Sequence, residues 1–193
     1  MQNSLTKHTT GTVVFDLETN GLLNDATRIH CIALHCIEEN FSQSFNDEKY
    51  SSLAKELPMA SNHSITTAIS CLEVADVLVG HNIIGFDIPI IKRLYPYFNP
   101  TGIIVDTLLL SRLYHPNLLD IDKKRVWKHM PLQLYGRHSL ESYGYRLNEY
   151  KGNFGTTTDW KEWSQEMQDY CEQDVRVTNK LCKHFLPYLN GSR

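Results

Sequence analysis

The chain has 193 residues, 41% of them hydrophobic, which is enough for one domain with a sizeable core and leaves no comfortable room for a second. A formal net charge of −3 excludes a protein that coats nucleic acid by charge alone, but it suits an enzyme that binds nucleic acid through a metal-filled acidic site. Five cysteines with no CxxC pair form neither a disulfide framework nor a zinc site, and read as core thiols of a reducing compartment.

The chain opens without a basic-then-apolar leader and holds no apolar run long enough to span a bilayer, so the expectation is a cytoplasmic protein away from membranes. Residues 1–11 are polar and aperiodic, a flexible lead-in to a single domain over residues 12–190. The stretch Val13 to Leu22 then reads as a buried strand that ends in Asp16 and Glu18, with Asn20-Gly21 turning the chain away. Residues two apart in a strand share a face, so the two carboxylates project together and repel unless a cation lies between them. Taken alone, Asp-x-Glu is a weak motif and better describes a strand end that meets solvent.

Arg28 to Ile37 alternates apolar residues as a second strand, and Phe41 to Phe45 forms a weaker third at an edge. The short links between the three predict an antiparallel meander. Ser64 to Ala75 carries helical spacing and feeds a short buried strand, Val77 to Gly80. From here the order becomes strand, helix, strand, helix. In His81 to Pro89, Gly85 permits a tight turn and Pro89 suits the first turn of a helix. Asp87 stands at that helix's start, either as its cap or as part of a site. Asp106, at the start of an expected helix over Thr107 to Tyr114, reads as a cap.

Between Pro116 and Arg137 the pattern loosens into an expected loop that holds Lys123, Lys124, Arg125 and Lys128 against Asp120 and Asp122. Such a run is a solvated surface or a track for a phosphate backbone. His138 to Leu147 predicts a short helix, Gly152 to Asp159 an irregular connection, and Trp160 to Leu186 the longest helix. On that last helix Tyr170 and Asp174 are four apart and lie on one face. Acids from three separate elements are what is needed to hold two divalent ions roughly 3.5 to 4 Å apart.

Asp16-Leu17-Glu18, His81-Asn82 through Phe86-Asp87, and Tyr170-Cys171-Glu172-Gln173-Asp174 together resemble the DEDD exonucleases, in the subclass whose third motif is YxxxD. The sibling HxxxxD pattern is not supplied by His138, which has Tyr143 at the corresponding spacing. Asp106 to Leu113, and His138 to Glu141 through Gly144 to Leu147, make the chain most like the proofreading domain of the T-seven type phage DNA polymerases, over about residues 12–186.

The resemblance implies an α/β, ribonuclease H-like fold with a central mixed five-stranded sheet flanked by helices. It implies a 3′–5′ exonuclease that releases nucleoside 5′-monophosphates from single-stranded DNA or frayed 3′ ends, using two Mg2+ or Mn2+ ions. Asp16, Glu18, Asp87 and Asp174 would hold the ions, and Tyr170 would orient the nucleophile. Thr19 and Leu22 match positions that contact the terminal nucleotide, and Asn82 and Phe86 are similar candidates. Leu22 and Phe86 are equally readable as core residues. Trimming of RNA 3′ ends, as by ribonuclease D-type enzymes, is the alternative, and a catalytically silent nucleic-acid-binding module is a third reading. A stand-alone domain of this kind is expected in a bacterial or phage-infected cell, with a polymerase or replication partner in trans.

Overall fold

The computed structural model describes residues 11–48, 63–149 and 159–192. Alternation along β1 (Thr12–Thr19) gives the strand two differently filled faces, with Val13, Phe15 and Leu17 on one and Val14, Asp16 and Glu18 on the other. A two-sided central strand needs neighbours on both edges. β2 (Ile29–Cys36) pairs with it antiparallel and β3 (Phe41–Phe45) continues that meander, as the short links predict. β4 (Val77–Gly80) lies parallel to β1 on its other edge, and β5 (Ile103–Asp106) lies parallel to β4. The order is β3-β2-β1-β4-β5, a mixed five-stranded sheet.

Helices cover both faces. α1 (Ile65–Glu73), capped by the Ser64 hydroxyl, and α2 (Asp87–Leu94) bury Ile65, Ile69, Leu72, Ile90 and Ile91 against Phe15, Leu17 and Ile32. The long α6 (Gln165–Leu189) crosses the opposite face, where Met167, Cys171, Val175 and Cys182 meet Val14, Cys31, Ala33 and Val79. Further along, α6 packs Val177, Leu181 and Phe185 on residues of α4 (Leu118–Lys123) and α5 (Leu140–Arg146). α3 (Thr107–Tyr114) follows β5 directly. All five cysteines are free thiols and four are buried, as core thiols should be. No helix among the described residues is long and apolar enough to cross a membrane.

The strand expected between α2 and α3 is present, and two elements differ from the sequence reading. Ile103 to Asp106 form that strand even though Ile103 is 68% exposed, because β4 supplies a parallel ladder. The segment expected as a loop contains α4 and a 3-10 turn at Leu132–Leu134. It is organised around buried Asp122, whose carboxylate accepts from Arg146 Nη2 at 2.7 Å, Arg146 Nε at 3.1 Å and the Gly136 amide at 2.8 Å. The last helix begins at Gln165 instead of Trp160, because the Ser164 hydroxyl accepts from the Met167 amide and caps it there, and it runs on to Leu189. The lead-in, apart from Gly11, and the Gly152 to Asp159 connection, apart from Asp159, lie outside the described residues.

Candidate active site

The site forms where β1 ends. Val14, Asp16 and Glu18 face α6, so the inner end of this row is apolar and its outer end carries the two carboxylates. α6 contributes Asp174 and, one turn earlier, Tyr170. Cys171 fixes how the helix sits on the strand, since its thiol donates to the Asp16 carbonyl at 3.4 Å. Burial, with Cys31, Asp16 and Glu18 close by, holds that thiol well above its ordinary pKa, so it stays a protonated donor.

One carboxylate oxygen from each of Asp16, Glu18 and Asp174 lies within 4.8 Å of the other two. Asp174 is buried and the other two are half-buried, so water only partly screens their mutual repulsion. The donors are all hard oxygens, with no thiolate or imidazole among them, and that chemistry fits a divalent cation of the magnesium or manganese class. Asp87 stands outside this group of three. It opens α2 at 4% exposure, and burial, with Asp106 and Asp174 nearby, pushes its carboxyl up to about 7 against the opposing pull of its own amide and that of Leu17. It is thus held near the other acids by the helix start and strand end that the sequence indicated.

The loop that carries Asp87 has its own support. Asp106 does cap α3, accepting from the Leu108 amide at 2.9 Å, but it also accepts from the Asn82 amide at 2.9 Å and the Ile84 amide at 3.1 Å. One buried carboxylate therefore ties the end of β5 to the turn after β4. Within that turn Asn82, at φ +68°, is the residue in the left-handed region, and not Gly85. Gly85 leaves room for the Asn82 side chain, whose Oδ1 would lie 2.6 Å from a Cβ there and would have to swing away.

Beside the carboxylates lies a largely apolar hollow of about 270 Å³, lined by Glu18, Thr19, Gly21, Leu22, Phe86 and Trp160. Leu22 is 76% exposed and so is not a core residue, whereas Phe86 is half-buried and packs partly on the main core. Thr19 is buried and its hydroxyl donates to the Gly21 carbonyl at 2.7 Å, which shapes the turn under Leu22. Asn82 is not brought into this hollow; it is exposed and lines a separate groove with His81. Trp160 was missed as a site residue because its neighbours read as the start of the last helix. Its carbonyl oxygen lies 3.0 Å from His30 Nε2, and its ring stands edge-on to Tyr170 at 6.4 Å.

A family model described as the RNase_H superfamily matches residues 13–186. The chain belongs to the RNase H superfamily. It is 28% identical over 203 residues to a DNA-directed DNA polymerase of Enterobacteria phage T3, and 29% identical over 205 residues to that of Escherichia phage T7. Each match covers 91% of this chain and 27% of the polymerase, so the chain spans about a quarter of the length of these curated relatives. Among solved structures it is similar to Brucella melitensis NrnC, with a TM-score of 0.62 at 14% identity over 98% of this chain and 80% of that one. NrnC with bound Mg2+ gives 0.61 at 15% identity (99% and 79% covered), and NrnC bound to pGG gives 0.58 at 15% identity (98% and 79% covered). At these identities the structural likeness bears on the fold, and the RNase H-like sheet order agrees with it.

Proposed function

We propose that the protein is a metal-dependent 3′–5′ exonuclease that hydrolyses DNA from single-stranded or frayed 3′ ends to nucleoside 5′-monophosphates. The observation that carries this reading is the meeting of Asp16, Glu18 and Asp174 within 4.8 Å, from a strand and a distant helix, in a member of the RNase H superfamily. The similarity to phage DNA polymerases over nearly the whole chain supports DNA as substrate, and a solved relative with Mg2+ supports the metal class.

Asp16, Glu18 and Asp174 would hold one divalent ion, and Asp16 with Asp87 a second. When bound, such ions supply a nucleophile at neutral pH and neutralise charge on the leaving oxygen. The residues of the chain then do the positioning. Leu22, Phe86 and Trp160 receive the terminal base on apolar and aromatic surface, which every base can use because each has a flat π face. Thr19 sets the turn that presents Leu22. Tyr170, one turn before Asp174 and braced edge-on by Trp160, orients the attacking water by its hydroxyl. Asn82 contacts the strand as it enters. A paired end must open before its base reaches the hollow, at a cost of a few kcal/mol per base taken from the stack.

The test is digestion of single-stranded DNA, a duplex with a mismatched 3′ end, and RNA, side by side with Mg2+ and Mn2+ and with Asp16→Ala as control. Metal-dependent release of mononucleotides from the DNA substrates, lost in the variant, supports the proposal. Release from RNA alone would replace it with an RNA-trimming reading.

A further inference from the structure

Away from the carboxylates, two imidazoles meet. His30, His35, His63, His81 and His138 each set a ring nitrogen against a carbonyl, a hydroxyl or an amide group. His115 and His184 instead set theirs against each other, with Nε2 to Nε2 at 2.9 Å. They come from different elements. His115 closes α3, its amide donating to the Ser111 carbonyl at 2.9 Å, and His184 lies in the last part of α6. Ten residues separate His184 from Asp174 on that helix, about 15 Å along its axis, so the pair is no part of the carboxylate site.

Packing fixes both rings. Phe185, which is fully buried, lies 5.4 Å from the His115 ring and 5.0 Å from that of His184, and Tyr188 stands edge-on to His115 at 5.5 Å. Tyr114 closes this aromatic wall against Tyr188 at 4.8 Å. The imidazoles themselves are half-buried, so solvent still reaches them. Lys180, one turn before His184, is paired with Glu149 at 2.6 Å, which offsets its charge. Arg112 and Lys183 are near the pair in sequence but exposed, where water and salt screen them.

Two neutral imidazoles at this distance share one N–H between two ring nitrogens, so one lone pair is spent on a proton. With the proton of each ring on Nδ1, both Nε2 lone pairs are available to one cation, and no net proton is released. Two ligands at right angles, each about 2.0–2.1 Å from a metal, are about 2.9 Å apart, whereas tetrahedral ligands are about 3.3 Å apart. The observed separation fits the right-angled case, which Cu2+ and Ni2+ favour with nitrogen and oxygen donors. Mg2+ and Mn2+, which suit the carboxylates, prefer oxygen.

We propose that His115 and His184 form a second metal site, for a nitrogen-seeking divalent cation of the copper–nickel class, with water completing its coordination. An ion bound there replaces one hydrogen bond with two coordinate bonds and ties the end of α3 to the end of α6. The proposal stands apart from the nuclease reading and uses none of its residues.

The experiment uses the untagged protein, stripped with a chelator and titrated with Cu2+ or Ni2+ alone. The variants are His115→Gln, His184→Gln, the two together, and Asp16→Ala/Asp174→Ala, which removes the oxygen site. With one equivalent of Cu2+, electron paramagnetic resonance should show two equatorial nitrogens in the wild type and in the aspartate variant, and fewer in each glutamine variant. Ni2+ affinity, read by calorimetry, should fall about 10-fold or more in each single glutamine variant, since losing a ligand costs at least what losing a ligand's own hydrogen-bond partner does. Ni2+ should raise the melting temperature of the wild type and not that of the double glutamine variant.

Two-nitrogen coupling that survives in the double glutamine variant, or that is lost in the aspartate variant, overturns the site. So does a Ni2+ affinity that the glutamine changes leave intact. If a glutamine variant fails to fold, the wild type still decides, because fewer than two equatorial nitrogens at one equivalent of Cu2+ overturns the proposal.

Discussion

Asp106 provides a sharp test of how the site is built, because it is an acid outside the three-carboxylate group whose removal should still disable the enzyme. Its carboxylate accepts from three backbone amides, those of Asn82, Ile84 and Leu108, at 2.9, 3.1 and 2.9 Å. Asp106→Ala leaves these partly buried donors without their acceptor, at about 1–3 kcal/mol each before water enters the space. Against that, Asp87 loses one of the charges that push its carboxyl up, which returns part of the loss. The expected net destabilisation is about 2–4 kcal/mol, read as a lower urea midpoint with unchanged slope. Asp106→Asn keeps one acceptor oxygen and should fall about halfway. Because the Asn82 to Asp87 turn carries one of the proposed metal ligands, kcat/KM should drop more steeply than stability in both variants. A midpoint for Asp106→Ala within ~0.5 kcal/mol of wild type would refute the reasoning and return Asp106 to a helix cap of modest value.

The carboxylate group predicts that Mg2+ or Mn2+ raises the melting temperature of the wild type, by the equivalent of about 2.7 kcal/mol at a hundredfold excess over Kd, and that Asp16→Ala and Asp174→Ala show neither this shift nor activity. A metal shift retained in both variants would contradict the ligand assignment. Tyr170→Phe should keep the metal shift and lose about 10- to 1000-fold in kcat, as expected for one positioned hydroxyl; an unaltered rate would leave Tyr170 as a packing residue beside Trp160.

The buried Asp122–Arg146 pair gives a pH prediction: Arg146 and the Gly136 amide hold the Asp122 carboxyl below its ordinary value despite burial, so the folded state binds its proton more weakly than the unfolded chain does. Its stabilisation is then complete above about pH 4 and is lost as pH falls through the folded value. Asp122→Asn should flatten acid unfolding in that window, which urea midpoints at successive pH values will read, and Asp122→Ala should cost about 3–5 kcal/mol at neutral pH by stranding Arg146.

The elements that the sequence revealed are those whose signal is local. Alternation named β1 and β2, helical spacing named α1, and the four-residue step from Tyr170 to Asp174 put two side chains on one face without any knowledge of what the face met. What stayed hidden depended on partners far away in the chain. α4 sits in a charged segment that Asp122 organises through Arg146 and Gly136, and Trp160 reaches the hollow because its carbonyl meets His30. Arg112 and Arg137 are hidden in the same way, since they line one groove only after α3 and the approach to α5 fold together.

The central claim is a reaction with a direction. A single-stranded oligodeoxynucleotide carrying distinct labels at its two ends, incubated with the purified protein and Mg2+ or Mn2+, reads that direction from the first product. The account predicts that labelled nucleoside 5′-monophosphate appears first from the 3′ end, while the 5′-labelled strand shortens one nucleotide at a time, and that Asp16→Ala leaves both labels in place. Release of the 5′ label first, or internal cuts, or the same release by Asp16→Ala, would contradict it.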